Sequence, residues 1–360
     1  MRNVLVTGGA GFIGCNFVRY LLAKESDVRI VNLDALTYAG SLANLHDLPD
    51  PDRHSFIQGD IRDEQLVMEL FREHDIDTVV HFAAETHVDR SIYGPGIFVE
   101  TNVLGTFTLL EAARRSWQEV KPTIPGVRFH HVSTDEVFGS LDHGDSAFTE
   151  STAYSPNSPY AASKAASDHL VRAYAHTYGL PVTITNCSNN YGPYQFPEKL
   201  IPMVILSALE GRPIPVYGDG QHVRDWLYIE DHCEAVLLVL EKGRIGETYN
   251  IGGNNQPSNL EIVEQICGIL DEQVSDSRYA PHRELIRFVE DRPGHDRRYE
   301  MDTTKMAQEF GWQPRHGLDE GLEKTVAWYL EDRAWLAEVD DRPDYRQWLE
   351  RHYLARGEAS

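Results

Sequence analysis

A glycine-rich turn near the N-terminus constrains the fold of this 360-residue sequence more than any other feature. The β-branched run at residues 3–7 leads directly into Gly8, Gly11 and Gly14, and a segment with helical spacing follows. Without side chains at these positions, the backbone can turn tightly and the helix can pack close to the strand. The start of the helix then presents unpaired N–H groups and a positive dipole end to an anion. The turn therefore predicts a phosphate-binding loop within a strand–turn–helix unit.

An acidic residue about 20 positions after the turn indicates that the phosphate-containing ligand is a dinucleotide. Asp34 ends the next strand-like run, where a carboxylate can accept hydrogen bonds from ribose hydroxyls and would repel a 2′-phosphate. This pattern favours NAD over NADP as the cofactor. Asp60 follows the third strand-like run and is placed to reach the adenine, although an acid in a surface turn would look the same.

Strand-like and helix-like segments alternate through the first half of the chain. Short β-branched runs lie at residues 3–7, 28–33, 55–59, 78–84, 127–133 and 182–186. Segments with helical spacing separate them, which predicts parallel strands joined by right-handed crossovers. We therefore predict an α/β fold with a Rossmann-type doubly wound parallel sheet, in which residues 1–190 form the NAD-binding domain.

The alternation ends after about Tyr191, where proline and glycine punctuate the sequence. We interpret residues 191–330 as a smaller, partly interleaved C-terminal lobe that binds substrate. Residues 225–252 are expected to return the chain to the first domain. Residues 331–360, which are rich in Trp, Asp and Arg, are expected to form one or two peripheral helices.

Composition argues against several classes of function. The formal net charge of −23 disfavours nucleic acid as a partner, because phosphate backbones are bound by basic surfaces. No apolar run approaches the roughly 20 residues that cross a bilayer, and no signal peptide is evident, so we expect a cytoplasmic protein with no membrane partner. The four cysteines lie far apart and are expected to be buried free thiols. No clustered spacing of ligand residues indicates a metal site.

A tyrosine and a lysine stand four residues apart at the start of a helix-like segment. This spacing places Tyr160 and Lys164 on one face of the helix. A phenol with a pKa of roughly 10 is a poor base at neutral pH. A neighbouring ammonium and the positive nicotinamide ring would both favour the phenolate. We therefore predict that Tyr160 and Lys164 are catalytic.

Two adjacent acids follow the fifth strand-like run. Thr134, Asp135 and Glu136 lie at the carboxyl end of that run, where α/β folds place ligand chemistry. Like charges side by side push one pKa upward, so that one acid can donate a proton while the other accepts one. Their position beside the helix of Tyr160 favours a catalytic role over a pair of solvated loop acids.

Together, the glycine turn and the YxxxK pair resemble the extended short-chain dehydrogenase/reductase family, down to about residue 330. Members of that family oxidise and reduce sugars that are carried on nucleotides. The resemblance implies cofactor contacts at Gly8, Gly11, Phe12, Ile13, Gly14, Asp34, Asp60, Ile61, Ala83, Ala84, Thr101, Tyr160, Lys164 and Asn190. It implies substrate contacts at Thr86, Thr134, Asn189, Lys199, Leu200, Pro215, Tyr217, Arg224, Asn259, Arg292 and His295. Arginine suits a diphosphate because its planar fork binds phosphate oxygens in pairs.

Within the family, the Thr-Asp-Glu triplet is similar to that of nucleotide-sugar 4,6-dehydratases that act on dTDP-glucose. The resemblance implies that Tyr160 takes the proton of the 4-hydroxyl while hydride passes from carbon 4 to NAD. Glu136 would then remove the proton on carbon 5, and Asp135 would protonate the departing 6-hydroxyl. Hydride would return to carbon 6, and Thr134 would hydrogen-bond the oxygen on carbon 4.

Other activities on the same fold stay open. A 4-epimerase or a UDP-glucuronate decarboxylase would share the cofactor but would not need both acids of the triplet. A UDP-sugar 4,6-dehydratase differs by one methyl group on the base, worth about 1–3 kcal/mol of discrimination. A non-catalytic NAD-binding sensor is disfavoured because all the reacting residues are present. The resemblance also implies a homodimer formed through two helices per subunit, for which the apolar faces of residues 103–117 and 166–178 would serve, unless those faces are intramolecular core.

Overall fold

A parallel sheet of seven strands organises the structure, a computed structural model that describes residues 1–120 and 126–340. The strands of the chain are β1 (Asn3–Thr7), β2 (Arg29–Asp34), β3 (His54–Gln58), β4 (Thr78–His81), β5 (Arg128–Thr134), β6 (Val182–Cys187), β7 (Asn189–Tyr191), β8 (Ile214–Tyr217), β9 (Trp226–Tyr228), β10 (Thr248–Ile251) and β11 (Ile286–Val289). The large sheet has the order β10-β6-β5-β4-β1-β2-β3. Strand order reverses at β1, which is the arrangement of a doubly wound Rossmann-type fold. The predicted fold class is confirmed.

Helices cover both faces of this sheet and continue through the later part of the chain. They are α1 (Phe12–Lys24), α2 (Glu64–Glu73), α3 (Val88–Tyr93), α4 (Pro95–Phe98), α5 (Thr106–Arg114), α6 (Pro159–Tyr178), α7 (Leu200–Glu210), α8 (Ile229–Lys242), α9 (Asn259–Gln273), α10 (Thr304–Phe310), α11 (Leu318–Glu331) and α12 (Arg333–Asp340). Wider, π-helical turns at Val99–Gly105 and Arg115–Val120 extend α5 at both ends. Short 3₁₀ turns lie at Leu42–Leu45, Pro51–Arg53, Asp135–Phe138 and His282–Leu285.

Two apolar layers hold the helices against the sheet. Alternate residues of a strand point to opposite faces, so Val4 and Val6 join the layer that contains Phe17 of α1, whereas Leu5 joins the layer that contains Leu109 of α5. Burial on both faces explains why the strands read as nearly continuous apolar runs. The carboxyl ends of the strands are thereby fixed side by side at one edge of the sheet.

The later part of the chain both extends the large sheet and forms two small ones. Strand β10 pairs with β6 at one edge of the large sheet, while β8 pairs with β11 and β7 pairs with β9. Helix α12 contacts the N-terminal part of the chain, where the indole N–H of Trp335 donates to Asn44 Oδ1 at 2.6 Å. The rest of the predicted C-terminal helices, residues 341–360, lies outside the described residues.

Two expectations from composition concern the described part of the chain. All four cysteines are buried free thiols, as predicted. Within residues 1–120 and 126–340, no helix is long and apolar enough to span a membrane. The cytoplasmic location and the absence of nucleic-acid partners stay predictions.

Candidate active site

The glycine turn shapes one end of a cleft along the carboxyl edge of the sheet. A side chain at Gly14 would overlap the carbonyl oxygen of Gly8, so glycine is required for α1 to approach the turn. Gly11 caps α1 without a side-chain hydrogen bond, and the first turn of this helix contains no acidic residue. The helix start therefore leaves N–H groups available to a phosphate, and the donor set fits the pyrophosphate of a dinucleotide.

Asp34 and Asp60 line the same cleft but are held differently. The Asp34 carboxylate accepts hydrogen bonds from the N–H groups of Ala10 at 2.9 Å and Leu36 at 2.8 Å. It therefore holds the glycine turn in place while it also faces the cleft. Asp60 pairs with Arg62 at 2.7 Å, and this hydrogen bond lowers the pKa of the Asp60 carboxyl.

Thr134, Asp135 and Glu136 lie where β5 ends and a 3₁₀ turn begins. The Thr134 hydroxyl donates to Asp135 Oδ1 at 3.1 Å and accepts from the Glu136 N–H at 3.3 Å. Burial and the neighbouring Glu136 raise the pKa of Asp135 well above its usual value. Burial also raises the pKa of Glu136, but Arg292, Lys199 and Arg224 oppose this rise. The proton is thus held preferentially on Asp135, the order that the sequence led us to expect, with burial as the larger cause.

Tyr160 lies in the first turn of α6, which Ser158 caps by accepting from the Ala161 N–H at 3.0 Å. Burial and the nearby Glu136 raise the pKa of the Tyr160 phenol well above its usual value. The Lys164 ammonium donates to the Val132 carbonyl oxygen at 2.9 Å. The sequence predicted that lysine would favour the phenolate, but in the protein alone the phenol is protonated because burial dominates.

A second group of predicted residues gathers around Asp89, beside the cleft. Its carboxylate accepts from the Tyr217 hydroxyl at 3.0 Å and from Arg292 Nη1 at 2.8 Å. The Arg224 guanidinium lies 4.3 Å from the ring centre of Tyr299. Arg224 is buried and Arg292 is half-buried, and both cations act electrostatically on Glu136. The geometry suits a diphosphate that lies between these cations and the reacting centre.

His222, Asp291 and His295 offer ligand atoms within 4.8 Å of one another, a grouping that could hold a metal ion. The two imidazole rings stack at 3.7 Å with an interplanar angle of 13°. Nearly parallel rings direct their nitrogen lone pairs along parallel planes and not toward a single ion. Asp291 instead lies 3.2 Å from His222 Nε2 and 2.6 Å from His295 Nδ1. We interpret the group as a hydrogen-bonded clamp that orients His295.

The predicted site residues therefore fall into two neighbouring sets. The cleft is lined by Gly8, Gly11, Phe12, Ile13, Gly14, Asp34, Asp60, Ile61, Ala83, Ala84, Thr86, Thr101, Thr134, Asp135, Glu136, Tyr160, Lys164, Asn189, Asn190 and Lys199. The lining does not include Leu200, Pro215, Tyr217, Arg224, Asn259, Arg292 and His295. Of these, Leu200 begins α7, Pro215 lies in β8 and Asn259 begins α9, where its N–H donates to the His222 carbonyl at 2.8 Å.

Several residues near the site were missed by sequence reasoning. Cys187 and Glu198 line the cleft, and Asp89 joins two of the predicted substrate contacts. Asp168 lies behind Lys164 and contacts β5. Only Asp168 had a local signal, because it follows Lys164 by four residues on one helical face.

Comparisons with known proteins agree with this geometry. The family described as GDP-mannose 4,6 dehydratase matches residues 5–325. A protein of Xanthomonas campestris pv. campestris (strain B100), named dTDP-glucose 4,6-dehydratase, is 57% identical over 342 residues, covering 95% of this chain and 97% of its own.

Solved structures give the same result. The dTDP-glucose 4,6-dehydratase of Streptomyces venezuelae, solved with NAD bound, superposes with a TM-score of 0.84 at 48% identity, over 94% of this chain and 99% of that chain. The enzyme of the same name from Bacillus anthracis str. Ames, in complex with NAD, gives a TM-score of 0.83 at 46% identity, over 94% of this chain and 100% of that chain.

Proposed function

The chain belongs to the GDP-mannose 4,6 dehydratase family of extended short-chain dehydrogenases/reductases, and from that premise we propose that it is an NAD-dependent hydro-lyase acting on dTDP-glucose. The reaction removes water across carbons 5 and 6 and yields dTDP-4-keto-6-deoxyglucose. The observation that carries this proposal is the pair formed by the buried Asp135 and the half-buried Glu136, whose surroundings hold the proton on Asp135. The pair lies beside Tyr160 in the cleft that begins at the glycine turn.

The cofactor end of the cleft is suited to NAD. The turn from Gly8 to Gly14 would hold the pyrophosphate, and Asp34 would accept hydrogen bonds from the adenosine ribose. Tyr160 and Lys164 line the same cleft and would lie at its nicotinamide end. When bound, NAD supplies the hydride acceptor for carbon 4 and the hydride donor for carbon 6.

The reacting residues divide the proton transfers among them. With NAD bound, the positive nicotinamide ring and Lys164 would favour the Tyr160 phenolate, which can then accept the proton of the sugar's 4-hydroxyl. The Thr134 hydroxyl, at the end of β5, donates to the oxygen that becomes the 4-keto group. Glu136 removes the proton on carbon 5, which the adjacent ketone has made acidic, and gives it back to carbon 5 when hydride is delivered to carbon 6. Asp135 gives its proton to the 6-hydroxyl as that group leaves as water. The raised pKa of Asp135 suits an acid that must be protonated near neutral pH.

The substrate end supplies positive charge inside an acidic protein. Burial raises the pKa of Glu136, and Arg292, Lys199 and Arg224 all act against that rise. Their charges would bind the diphosphate and, at the same time, keep Glu136 ionised as a base. A formal net charge of −23 is thus compatible with an anionic substrate, because the cations are concentrated at the site.

The decisive experiment is mass spectrometry of dTDP-glucose after incubation with the purified protein and NAD, without added reductant. We expect a product lighter than the substrate by one water molecule and no net formation of NADH. Tyr160→Phe serves as the control, because it retains the fold but lacks the group that accepts the first proton. An unchanged mass with the wild-type protein would refute the dehydratase assignment.

The same assay separates the remaining alternatives. A 4-epimerase would leave the mass unchanged while altering the sugar's chromatographic position. A UDP-sugar dehydratase would dehydrate UDP-glucose and leave dTDP-glucose intact. A sensor would bind NAD without changing either sugar. Only dehydration of dTDP-glucose in preference to UDP-glucose agrees with the proposal.

We further infer that the protein acts as a homodimer. Val99, Leu104 and Phe107 lie on the helical segment that contains α5, and they are 52%, 53% and 44% exposed. The opposite face of that segment, with Leu109 and Leu110, is buried in the core. Large apolar side chains grouped on an exposed face are typical of protein–protein interfaces. The segment therefore has one face for the core and another for a second copy of the chain.

A further inference from the structure

A buried carboxylate lies directly behind the reacting residues. Asp168 stands on α6, one helical turn after Lys164, and its side chain has no exposed area. It does not belong to the lining of the cleft. Any effect of Asp168 on the reaction must therefore pass through the residues that it contacts.

Three side chains from outside α6 meet this carboxylate. Oδ2 accepts hydrogen bonds from the Ser133 hydroxyl at 2.8 Å and from the Tyr154 hydroxyl at 2.7 Å. Oδ1 lies 3.1 Å from His131 Nε2. Ser133 and His131 are alternate residues of β5, so their side chains leave the same face of the strand. Asp168 thus hydrogen-bonds one position of the strand that leads into the catalytic triplet and lies against a second.

Lys164 binds the position between those two. Its ammonium donates to the carbonyl oxygen of Val132, the residue that separates His131 from Ser133. Lys164 and Asp168, on consecutive turns of α6, therefore contact three consecutive residues of β5, from His131 to Ser133. Because Tyr160 is one turn earlier on the same helix face, this contact sets the distance between Tyr160 and the triplet that begins at Thr134.

Asp168 also supplies the charge that balances Lys164. Burial lowers the pKa of Lys164, and Asp168 is the largest influence that raises it again. Burial acts to raise the pKa of Asp168, but its contacts with His131 and Lys164 bring the pKa below its usual value, so the carboxylate is ionised. A buried ammonium without a counter-charge is strongly disfavoured.

The other titratable groups around this pair are mostly neutral near pH 7. On β4, burial lowers the pKa of His81 well below its usual value. On β5, it lowers the pKa of His131 to about 4, and on β6 it raises the pKa of Cys187 to about 12. Burial also raises the pKa of Tyr154. The further charge is Arg172, which donates to the Tyr154 hydroxyl at 2.7 Å. Asp168 is therefore the carboxylate that offsets Lys164.

We propose that Asp168 is a positioning residue for the dehydration, which keeps Lys164 charged and fixes the end of β5 against α6. The inference rests on the proposed function, because it assigns Asp168 to that reaction. Loss of the Asp168 carboxylate would leave the residues that line the cleft unchanged. It would, however, deprive the lysine of its counter-charge and free the strand that presents the triplet.

The test is the pH profile of kcat and KM for Asp168→Asn. Activity that needs the ammonium of Lys164 is lost as pH rises through the pKa of that group. Without the carboxylate this pKa falls, so the basic limb of kcat should move down by about one pH unit or more. At a pH above the basic limb of the wild type, kcat should fall by about tenfold, whereas KM for dTDP-glucose should stay within about twofold.

Two control variants separate this role from a structural one. Asp231→Asn removes another buried carboxylate, on α8 and not on the helix of Lys164, which accepts from the N–H groups of Arg315 and His316. It should lower the melting temperature without moving the basic limb. Tyr154→Phe removes one hydrogen bond to Asp168 but leaves its charge, so the limb should again stay in place. The proposal would be overturned if the basic limb of kcat in Asp168→Asn coincided with that of the wild type. It would also be overturned if this limb moved by the same amount in Asp231→Asn.

A binding titration keeps this test independent of the proposed function. Lys164 lines the cleft, so its charge should influence NAD affinity without any sugar. In Asp168→Asn, NAD affinity should begin to change at a lower pH than in the wild type, whereas coinciding curves would count against the proposal. If the wild type forms no dehydrated product, the proposed function fails and this titration alone decides the role of Asp168. Should Asp168→Asn not fold, Asp168→Ser, which leaves room for a water molecule, replaces it in both measurements.

Discussion

Asp135 and Glu136 are neighbours in sequence but have different electrostatic surroundings. Asp135 is buried next to Glu136 and under the influence of Asp225, both of which disfavour its ionisation. Glu136 is influenced by three cations, Arg292, Lys199 and Arg224, which favour ionisation. A proton shared between the two therefore lies on Asp135. The residue that must donate and the residue that must accept are distinguished before substrate binds.

Replacing that donor should interrupt the reaction at a defined step. In Asp135→Asn, abstraction of the 4-hydroxyl proton by Tyr160 does not need the lost acid, so the substrate should still be oxidised. Departure of the 6-hydroxyl should slow, and kcat should fall by about 10²–10⁴-fold. Single-turnover absorbance should show reduced nicotinamide that persists, and mass spectrometry should show little loss of water. Near-normal dehydration by Asp135→Asn would contradict the acid role. The control is Asp145→Asn, which changes an exposed acid elsewhere in the chain and should behave as the wild type does.

At the scale of elements, the glycine turn and α1 are joined by a contact that tolerates no side chain. In Gly14→Ala, the new methyl group would meet the Gly8 carbonyl, and this overlap should cost about 1–3 kcal/mol of stability. The displaced helix start should also weaken NAD binding. Calorimetric melting and an NAD titration measure the two effects.

Gly268 in α9 provides the matched control. A side chain there would have no neighbour within 4 Å, so Gly268→Ala should stabilise the protein by about 0.5–1 kcal/mol and leave NAD affinity unchanged. If Gly14→Ala bound NAD as the wild type does, the turn would not be the pyrophosphate site.

The same scale shows what the sequence could predict. The parallel strands were readable because each element carries its own local pattern, from the apolar run of β1 to the glycine turn that follows it. The cofactor end of the cleft followed from those local patterns. The contacts around Asp89 did not, because they join residues 128 and 203 positions apart. Nor does periodicity indicate that Lys164 donates to the Val132 carbonyl.

Over the whole molecule, negative charge predominates, whereas positive side chains are concentrated inside the proposed substrate site. Arg224 is buried, and Arg292 pairs with the buried Asp89. Interactions in such a water-poor environment are less screened by salt than those at the surface. An acidic shell around a few buried cations therefore permits a diphosphate to bind while it disfavours extended polyanions.

The exposed apolar face next to α5 makes a prediction for the whole assembly. Leu104→Glu would place a carboxylate on that face, where it would have to be buried between two copies of the chain, so the dimer should dissociate into monomers. The side chain is 53% exposed within one chain, so the fold itself should be retained. Sedimentation velocity over a range of concentrations measures the mass, and circular dichroism checks the fold. Leu42→Glu changes another exposed leucine, 47% exposed and remote in sequence, and should leave the wild-type mass. If Leu104→Glu kept the dimer mass while Leu42→Glu abolished it, the interface would lie on the face of Leu42. A wild-type protein that sediments as a monomer would refute the homodimer itself.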